Sequence, residues 1–437
     1  MGSEQLSAKN ATQNIYDILG VGIGPFNLSL AALADDTELD CIFLDENNRF
    51  DWHPGLMFED AKLQVPFLAD AVSLVEPRSK WSFLAYLKER HRLFPFYFRE
   101  QWHIEREEYN DYLQWLSTSL KNCLFNTRVL SITWIESHNS FQVCTSGGEE
   151  YFARNISLGI GTQAALPSPV QSFLRDGLSA QVIHSGQYLD NLDSISRLGS
   201  VTVLGSGQSG AEIVLDLLQR NRIQRQNISW FTRSSAFAPM EYSKLGLQHF
   251  TPDYTKFFHA LKFETREELI QKQWQLYKGI SADTISDIHD ELYRRDRYGA
   301  EMPVLQPNME LDSVEIKGEK LWLTFQHTLK DRRESVETDG LICATGYRPR
   351  DWESLFKNVT FEKNNGVAAV DLDQRLQVSA NGNSISGDVY VQNVELATHG
   401  VGTPDLGLAA WRSAVIINTA LGYQFYDLPS RTSYTKF

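Results

Sequence analysis

"GSVTVLGSGQSGAEIVLDLLQR", residues 199–220, decides the fold. A short β-branched run stops at glycines, and an amphipathic helical pattern starts directly after them. Gly205, Gly207 and Gly210 give a full G-x-G-x-x-G, placed between a predicted strand and a predicted helix. In that setting the glycines permit a tight turn, a close backbone approach to a pyrophosphate and close helix–strand packing. Gln208, Ser209 and Glu212 fall in the first turns of the helix, beside the expected phosphate seat. The strand that follows ends in "FTRSS", with Arg233, Ser234 and Ser235. An acid there would select NAD, whereas arginine and serines suit the 2′-phosphate of NADP.

The same grammar opens the chain. "IYDILGVG" (15–22) leads into Gly22, Gly24 and Pro25 and then a helical pattern over 26–34. Read from Gly22 the loop is G-x-G-x-x-N, with Asn27 where the third glycine belongs. Asp45 ends the next apolar run, just over twenty residues on, where an acid can accept from a ribose hydroxyl. Two such units in one chain imply two dinucleotides, FAD and NADPH. "GIGT" (159–162) and "ICATGYRP" (342–349), with Thr345 and Gly346, read as the exit from the first unit and the return to it.

These features predict an α/β fold with two Rossmann-like dinucleotide-binding domains and a small helical substrate subdomain. The expected boundaries are an FAD domain over 15–197 and 344–437 and an NADPH domain over 198–343. Residues of about 240–300, charged and tyrosine-rich, read as the helical insertion. The polar residues 1–14 are expected to be disordered.

Composition narrows the class. The chain has 437 residues, 42% hydrophobic and 22% charged, as in an ordinary globular enzyme. A net charge of −14 argues against nucleic acid as a partner, while leaving room for a local basic groove. The four cysteines form no C-x-x-C pair, which excludes a disulfide reductase and a zinc knuckle, and no metal site is read. Unpaired thiols suit a reducing cytoplasm. No signal peptide is seen, and the apolar stretch around the first glycine loop is a strand, loop and helix start rather than a membrane span. "HSGQY" (184–188) keeps the end of a class B monooxygenase signature, but Leu178 and Ala180 stand at its phenylalanine and glycine positions. That departure points away from Baeyer–Villiger enzymes and typical flavin-containing monooxygenases.

"GVGIGPFNLSLAAL", "FDWHPGLMF", "LQVPFLADAVSLVEPRSKWSFLAYL", "YFARNISLGIGT", "GSGQSGAE", "ATGYR" and "ATHGVGTPDLGLAAWRSA" occur here in that order. Together they resemble the microbial N-hydroxylating flavin monooxygenases of siderophore biosynthesis, over about residues 15–425, and are most similar to the lysine and diamine branches. The resemblance implies that Trp52, His53, Leu63 and Gln64 line the FAD and that Arg106 lies near the cofactors. It also implies that "DLGL", with Leu406, Gly407 and Leu408, passes the isoalloxazine. In the implied chemistry NADPH reduces FAD, and the reduced flavin traps O2 as a C4a-hydroperoxide that a neutral amine attacks. Gln64 and Arg106 are the residues expected closest to that chemistry. A homo-oligomer, dimer or tetramer, is implied as well.

The substrate reading rests on departures from the family. Its amino-acid hydroxylases read "FLKD" where this chain reads "FLAD", so a carboxylate-pairing lysine is replaced by Ala69. Leu247, in "LGLQHFTP", falls on an asparagine near substrate, and Gly407 on a serine. A buried carboxylate without its cation is costly. The expected substrate is therefore a diamine such as putrescine or cadaverine, with Asp405 or Glu241 receiving its far ammonium. The competing readings are an L-lysine N6-monooxygenase that uses other contacts and a non-catalytic flavoprotein that only leaks peroxide.

Overall fold

The computed structural model describes residues 14–175, 181–221 and 226–437. Residues 1–13 and the signature positions Leu178 and Ala180 lie outside the described residues.

The first unit is built on a seven-stranded sheet. Ile15–Val21 runs parallel to Cys41–Leu44 on one side and to Glu150–Leu158 on the other. Cys123–Leu124 extends the Cys41–Leu44 edge. Glu150–Leu158 forks: its first half pairs antiparallel with Ser140–Thr145, its second half parallel with Val389–Val391. Val129–Ile135 closes that side antiparallel to Ser140–Thr145. The helices Pro25–Ala34, Arg106–Ser119 and Ala409–Leu421 share one apolar core on one face of this sheet. The helix Pro25–Ala34 is buried along nearly its whole length, as expected for a helix packed between a sheet and neighbouring helices.

The second unit is a five-stranded, all-parallel sheet in the order Val304–Gln306, Asn227–Phe231, Ser200–Leu204, Gly340–Cys343, Val182–His184. Its strands are apolar on both faces, as a sheet covered on both sides requires. The two-domain α/β fold is thus as the sequence predicts, with one boundary moved. Val182–His184, assigned from sequence to the first domain, is an edge strand of the second sheet. Val170 and Phe173, on the helix Ser168–Arg175, share its core with Val182 and Leu341, so the second unit begins near residue 166 rather than 198.

The helical insertion also divides. Ala282–Arg297 packs on the glycine-loop helix Gln208–Arg220 and is the crossover helix between two parallel strands. Pro252–His259 and Phe263–Lys272 instead pack against Leu396–His399 of the first unit. The two chain crossings between units, Thr162–Ala164 and Tyr347–Pro349, pair as a short antiparallel ribbon. All four cysteines are free thiols, with Cys41 and Cys343 buried.

Candidate functional site

Both glycine loops open onto one cleft of about 2250 Å³. The two loops have nearly superimposable starts. Gly24 caps its helix at φ −89, ψ 179, and Gly207 caps its helix at φ −88, ψ 178, neither with a side-chain hydrogen bond. The first-turn N–H groups of both helices are left without side-chain caps, as anion seats require. Gly22 sits at φ +90, and a Cβ there would lie 2.4 Å from the Gly159 carbonyl oxygen. Gly205 sits at φ +120, with a virtual Cβ 2.1 Å from the Ala344 carbonyl oxygen. Only glycine fits either position.

The third positions differ. A Cβ on Gly210 would meet the Gly205 carbonyl oxygen at 2.5 Å and the Ala344 methyl at 3.2 Å. In the first loop Asn27 is fully buried and hydrogen-bonded throughout. Its Nδ2 donates to the Gly22 carbonyl at 2.8 Å, and its Oδ1 accepts from Ser157 Oγ at 2.9 Å and Gln392 Nε2 at 2.7 Å. The room for this side chain comes from Gly159, whose virtual Cβ would lie 2.6 Å from Asn27 Nδ2.

Around the first loop, Asp45 Oδ2 accepts from the Ile23 N–H at 2.7 Å and its Oδ1 from Asn47. The acid thus holds the glycine loop from the predicted strand end. Trp52 and His53 lie edge to face, 5.1 Å apart, in the tight "WHPG" turn, with His53 at φ +51. Gly55 of that turn meets the second unit so closely that a Cβ would lie 2.0 Å from the Gly186 carbonyl oxygen. His53 opens on the cleft but is walled by protein, and desolvation, then the Arg106 charge, pushes its pKa down to about 4. It is a neutral imidazole at physiological pH. Leu63 is buried, and Gln64 presents an Nε2 that is buried without a partner among the described residues. An orphaned donor in the wall of this cleft is what a bound heterocycle with ring acceptors would satisfy. Tyr242 covers this wall, its hydroxyl donating to the Gln64 carbonyl.

Around the second loop, Arg233 and Ser234 line the cleft, while Ser235 is exposed away from it. Sequence reasoning missed Lys278. Its carbonyl packs against Gly207, and its ammonium, displaced downward in pKa by desolvation and then by Arg233, shares the Arg233 corner of the cleft. It sits at the end of the short helix Gln275–Lys278, where no motif announces it. Two neighbouring cations fit a terminal phosphate group. The cleft is lined by as many Lys and Arg as Asp and Glu, against the strong negative balance of the chain.

Two expected site residues pair with each other instead. Arg106 forms a bidentate ion pair with Glu212, at 2.6 and 2.9 Å, joining the two units. Glu212 also accepts from Gln208 and does not line the cleft. Arg106 is therefore a fastening between domains at the cleft wall, rather than a free group facing a reacting atom. Thr345 donates to the Ala165 carbonyl and Gly346 takes φ +80, together shaping the return crossing. The His184 and Tyr188 of "HSGQY" serve the same region: His184 Nε2 contacts the Gly346 carbonyl at 3.0 Å, and Tyr188 donates to Asp216.

The substrate-side residues come together in part. A Cβ on Gly407 would lie 3.9 Å from the buried Ala69 methyl and 2.7 Å from Asp405 Oδ1, which accepts from the Gly407 N–H. Leu406 lines the cleft, whereas Leu408 turns to a separate cavity behind it. Leu247 is 38% exposed at the cleft rim. Glu241 is fully exposed, with its carboxylate held by the Ser243 N–H. Asp405 is half-buried, and desolvation pushes its pKa up to about 6, with the Gly407 N–H and Arg412 acting in the other direction. Arg412 itself is committed to Glu395 at 2.7 Å. Asp405 Oδ2 has no hydrogen bond to a described residue.

Two dinucleotide cradles facing one cleft, without a redox dithiol, fit a two-dinucleotide flavin oxidase or monooxygenase. The chain belongs to the L-lysine 6-monooxygenase/L-ornithine 5-monooxygenase family, which matches residues 14–349. A putrescine N-hydroxylase of Shewanella oneidensis is 37% identical, covering 98% of this chain and 85% of that one. An L-lysine N6-monooxygenase of Escherichia coli is 36% identical, covering 94% and 96%. In three dimensions the chain is similar to the FAD-bound cadaverine monooxygenase of desferrioxamine biosynthesis from Erwinia amylovora. There the TM-score is 0.90 at 36% identity, over 97% of this chain and 99% of that one.

Proposed function

We propose that the protein is an FAD- and NADPH-dependent monooxygenase that hydroxylates one nitrogen of an aliphatic diamine, putrescine or cadaverine, for a hydroxamate siderophore. The observation that carries the substrate reading is Asp405, an acid on the cleft lining, with Ala69 and Gly407 packed behind that lining and offering no cation for a carboxylate. The putrescine- and cadaverine-acting relatives support the same reading.

When bound, the cofactors supply a hydride and a reduced flavin able to activate O2. The chain's own residues do the rest. The Gly22–Gly24 and Gly205–Gly207 loops bring backbone N–H groups to the two pyrophosphates. Gln64, with its unpartnered Nε2–H, would hold the flavin ring, and Arg233 and Lys278 would hold the 2′-phosphate. Tyr242 and the apolar wall exclude water. An alkylamine titrates near pH 10.4 in water, and desolvation at this wall favours the neutral, nucleophilic form. At the other end of the substrate, Asp405 Oδ2 accepts from the far ammonium.

The sign of the pH dependence follows. As pH falls through about 6, Asp405 takes up a proton and no longer pairs with an ammonium, so KM for the diamine rises on the acid side. Asp405→Asn removes that limb and raises KM about 10–100-fold, the worth of one charge-assisted hydrogen bond. An unchanged KM excludes Asp405 as the anchor.

The L-lysine reading has its own support in the Escherichia coli relative and in Lys244, a cation on the cleft rim three residues before Leu247. A coupled assay of hydroxylamine release and NADPH oxidation across C3–C6 diamines, L-lysine and L-ornithine decides. We expect coupled turnover with the C4 or C5 diamine and little with the amino acids; efficient L-lysine turnover overturns the diamine reading. A homo-oligomer and a cytoplasmic location belong to the same proposal, the latter supported by four free thiols. No helix among the described residues is long and apolar enough to cross a membrane.

A further inference from the structure

Residues 431–437 form neither helix nor strand, yet they are tied down along their length. The N–H groups of Thr432 and Ser433 both donate to Asp253 Oδ2, at 2.8 and 2.9 Å, and the Ser433 hydroxyl joins them at 3.2 Å. Thr432 Oγ1 in turn accepts from the Asp253 N–H at 3.1 Å. The N–H groups of Tyr434 and Thr435 both donate to Gln248 Oε1, at 3.1 and 2.6 Å. Successive N–H groups thus converge on two side chains, where an exposed loop ordinarily leaves them to water. The Phe437 ring then packs on Tyr254 at 4.9 Å and on His249 at 5.3 Å.

Everything gripped in this way lies on the short helical turn Gly246–Phe250 and on the helix Pro252–His259 behind it. That turn places Leu247 and Phe250 on the lining of the cleft, whereas Gln248 and Asp253 are not part of the lining. In sequence the turn belongs to the insertion in the second unit, but its support comes from the first. A Cβ on Gly400 would lie 3.0 Å from the Phe258 ring, and Tyr254, Phe258 and Val401 share one small core. Phe437 packs against that same core. The segment 431–437, which follows the first unit's helix Ala409–Leu421, therefore completes a grip on the substrate wall that Gly400 and Val401 begin. Residues 241–245, just before the turn, are all exposed, so little packing holds the rim from its other end.

We propose that 431–437 is a strap that positions the substrate wall, with Gln248 and Asp253 as the positioning residues through which it acts. They set Leu247 and Phe250 against the amine, and so govern both its affinity and how well water is kept from the reacting end. This inference rests on the amine-hydroxylating reading of the cleft, but not on which amine is used. A loosened wall lets NADPH oxidation run without hydroxylation. NADPH, a proton and O2 then leave as NADP+ and H2O2, in place of NADP+, water and the hydroxylamine.

Gln248→Leu set against Gln248→Glu tests it. Leucine removes both hydrogen bonds at similar size, while glutamate keeps an oxygen in place to accept them. We expect Gln248→Leu to raise KM for the amine about tenfold, the worth of two net hydrogen bonds, and to raise the H2O2 formed per NADPH about twofold or more. KM for NADPH and FAD content should stay as in the wild type, and Gln248→Glu should stay near the wild type throughout. Phe437→Ser should move the same two readouts in the same direction as Gln248→Leu. Hydrogen exchange of the 242–250 amides, which needs no amine, should quicken in Gln248→Leu and not in Gln248→Glu. Unchanged exchange in Gln248→Leu overturns the strap. So does quickened exchange with unchanged amine KM and H2O2 yield, or an equal loss in Gln248→Glu. A wild type that hydroxylates no amine overturns the reading of the cleft instead, and the exchange result still decides whether the strap holds the wall.

Discussion

The two dinucleotide cradles solve one packing problem with the sizes exchanged. In each, the helix after the glycine loop crosses the end of the neighbouring strand at its third motif position. The second cradle puts the small residue on the helix, Gly210, against Ala344 at the strand end. The first puts the large residue on the helix, Asn27, against Gly159 at the strand end. The pair, rather than either residue, is the unit that fits. The exchange adds something a glycine cannot: Asn27 ties Gly22, Ser157 and Gln392 together by hydrogen bonds, from three distant parts of the chain. One cradle is stitched by buried polar bonds; the other is closed by van der Waals contact and rimmed by cations.

The largest expected effect breaks the stitching. Asn27→Ala takes the side-chain partner from the Gly22 carbonyl and leaves Ser157 Oγ and Gln392 Nε2 only their long 3.4 Å contact with each other, at about 1–3 kcal/mol for each group that water cannot reach. We expect a loss of about 3 kcal/mol or more in denaturant unfolding, together with loss of FAD from the purified protein. Retention of both would show that the network is idle. Next, Gly210→Asn imports the first solution without its complement, an overpacking of about 1–3 kcal/mol. It should weaken NADPH binding while FAD stays, and adding Ala344→Gly should recover only the smaller part due to the Ala344 methyl, since the 2.5 Å contact with the Gly205 carbonyl remains. Absence of any recovery in titrations with NADP+ would refute the paired account. The smallest effect sharpens the contrast at the rim. Arg233→Ala should raise KM for NADPH about tenfold, or about 1.4 kcal/mol, with little change for NADH. Equal changes for both coenzymes would remove Arg233 from the 2′-phosphate.

Much of this was legible because glycine loops between a strand and a helix are local signals. Gly22, Gly24, Gly205 and Gly207 lie between a strand and a helix and Asp45 directly follows a strand, as the pattern reads, and the family reading from motif order is borne out by the match over residues 14–349. What stayed hidden depends on distance through the fold. Nothing near Asn27 announces Ser157 and Gln392. Arg106 and Glu212 were expected to serve the cofactors separately, and their pairing exists because two domains meet. Lys278 reaches its corner from a helical segment without a motif. Val182–His184 is three residues long and is a strand because Gly340–Cys343 offers it an edge.

The stitch also sets an order of events during synthesis. The second unit is complete once the ribosome has passed residue 343, since its five strands all precede that point. The first cradle is not complete until Gln392 and the strand Val389–Val391 have emerged, and its core waits for Ala409–Leu421. The cradle encoded first is thus finished last: its opening strand has its partners once Glu150–Leu158 is made, but the helix Pro25–Ala34 and Asn27 wait for Ala409–Leu421 and Gln392.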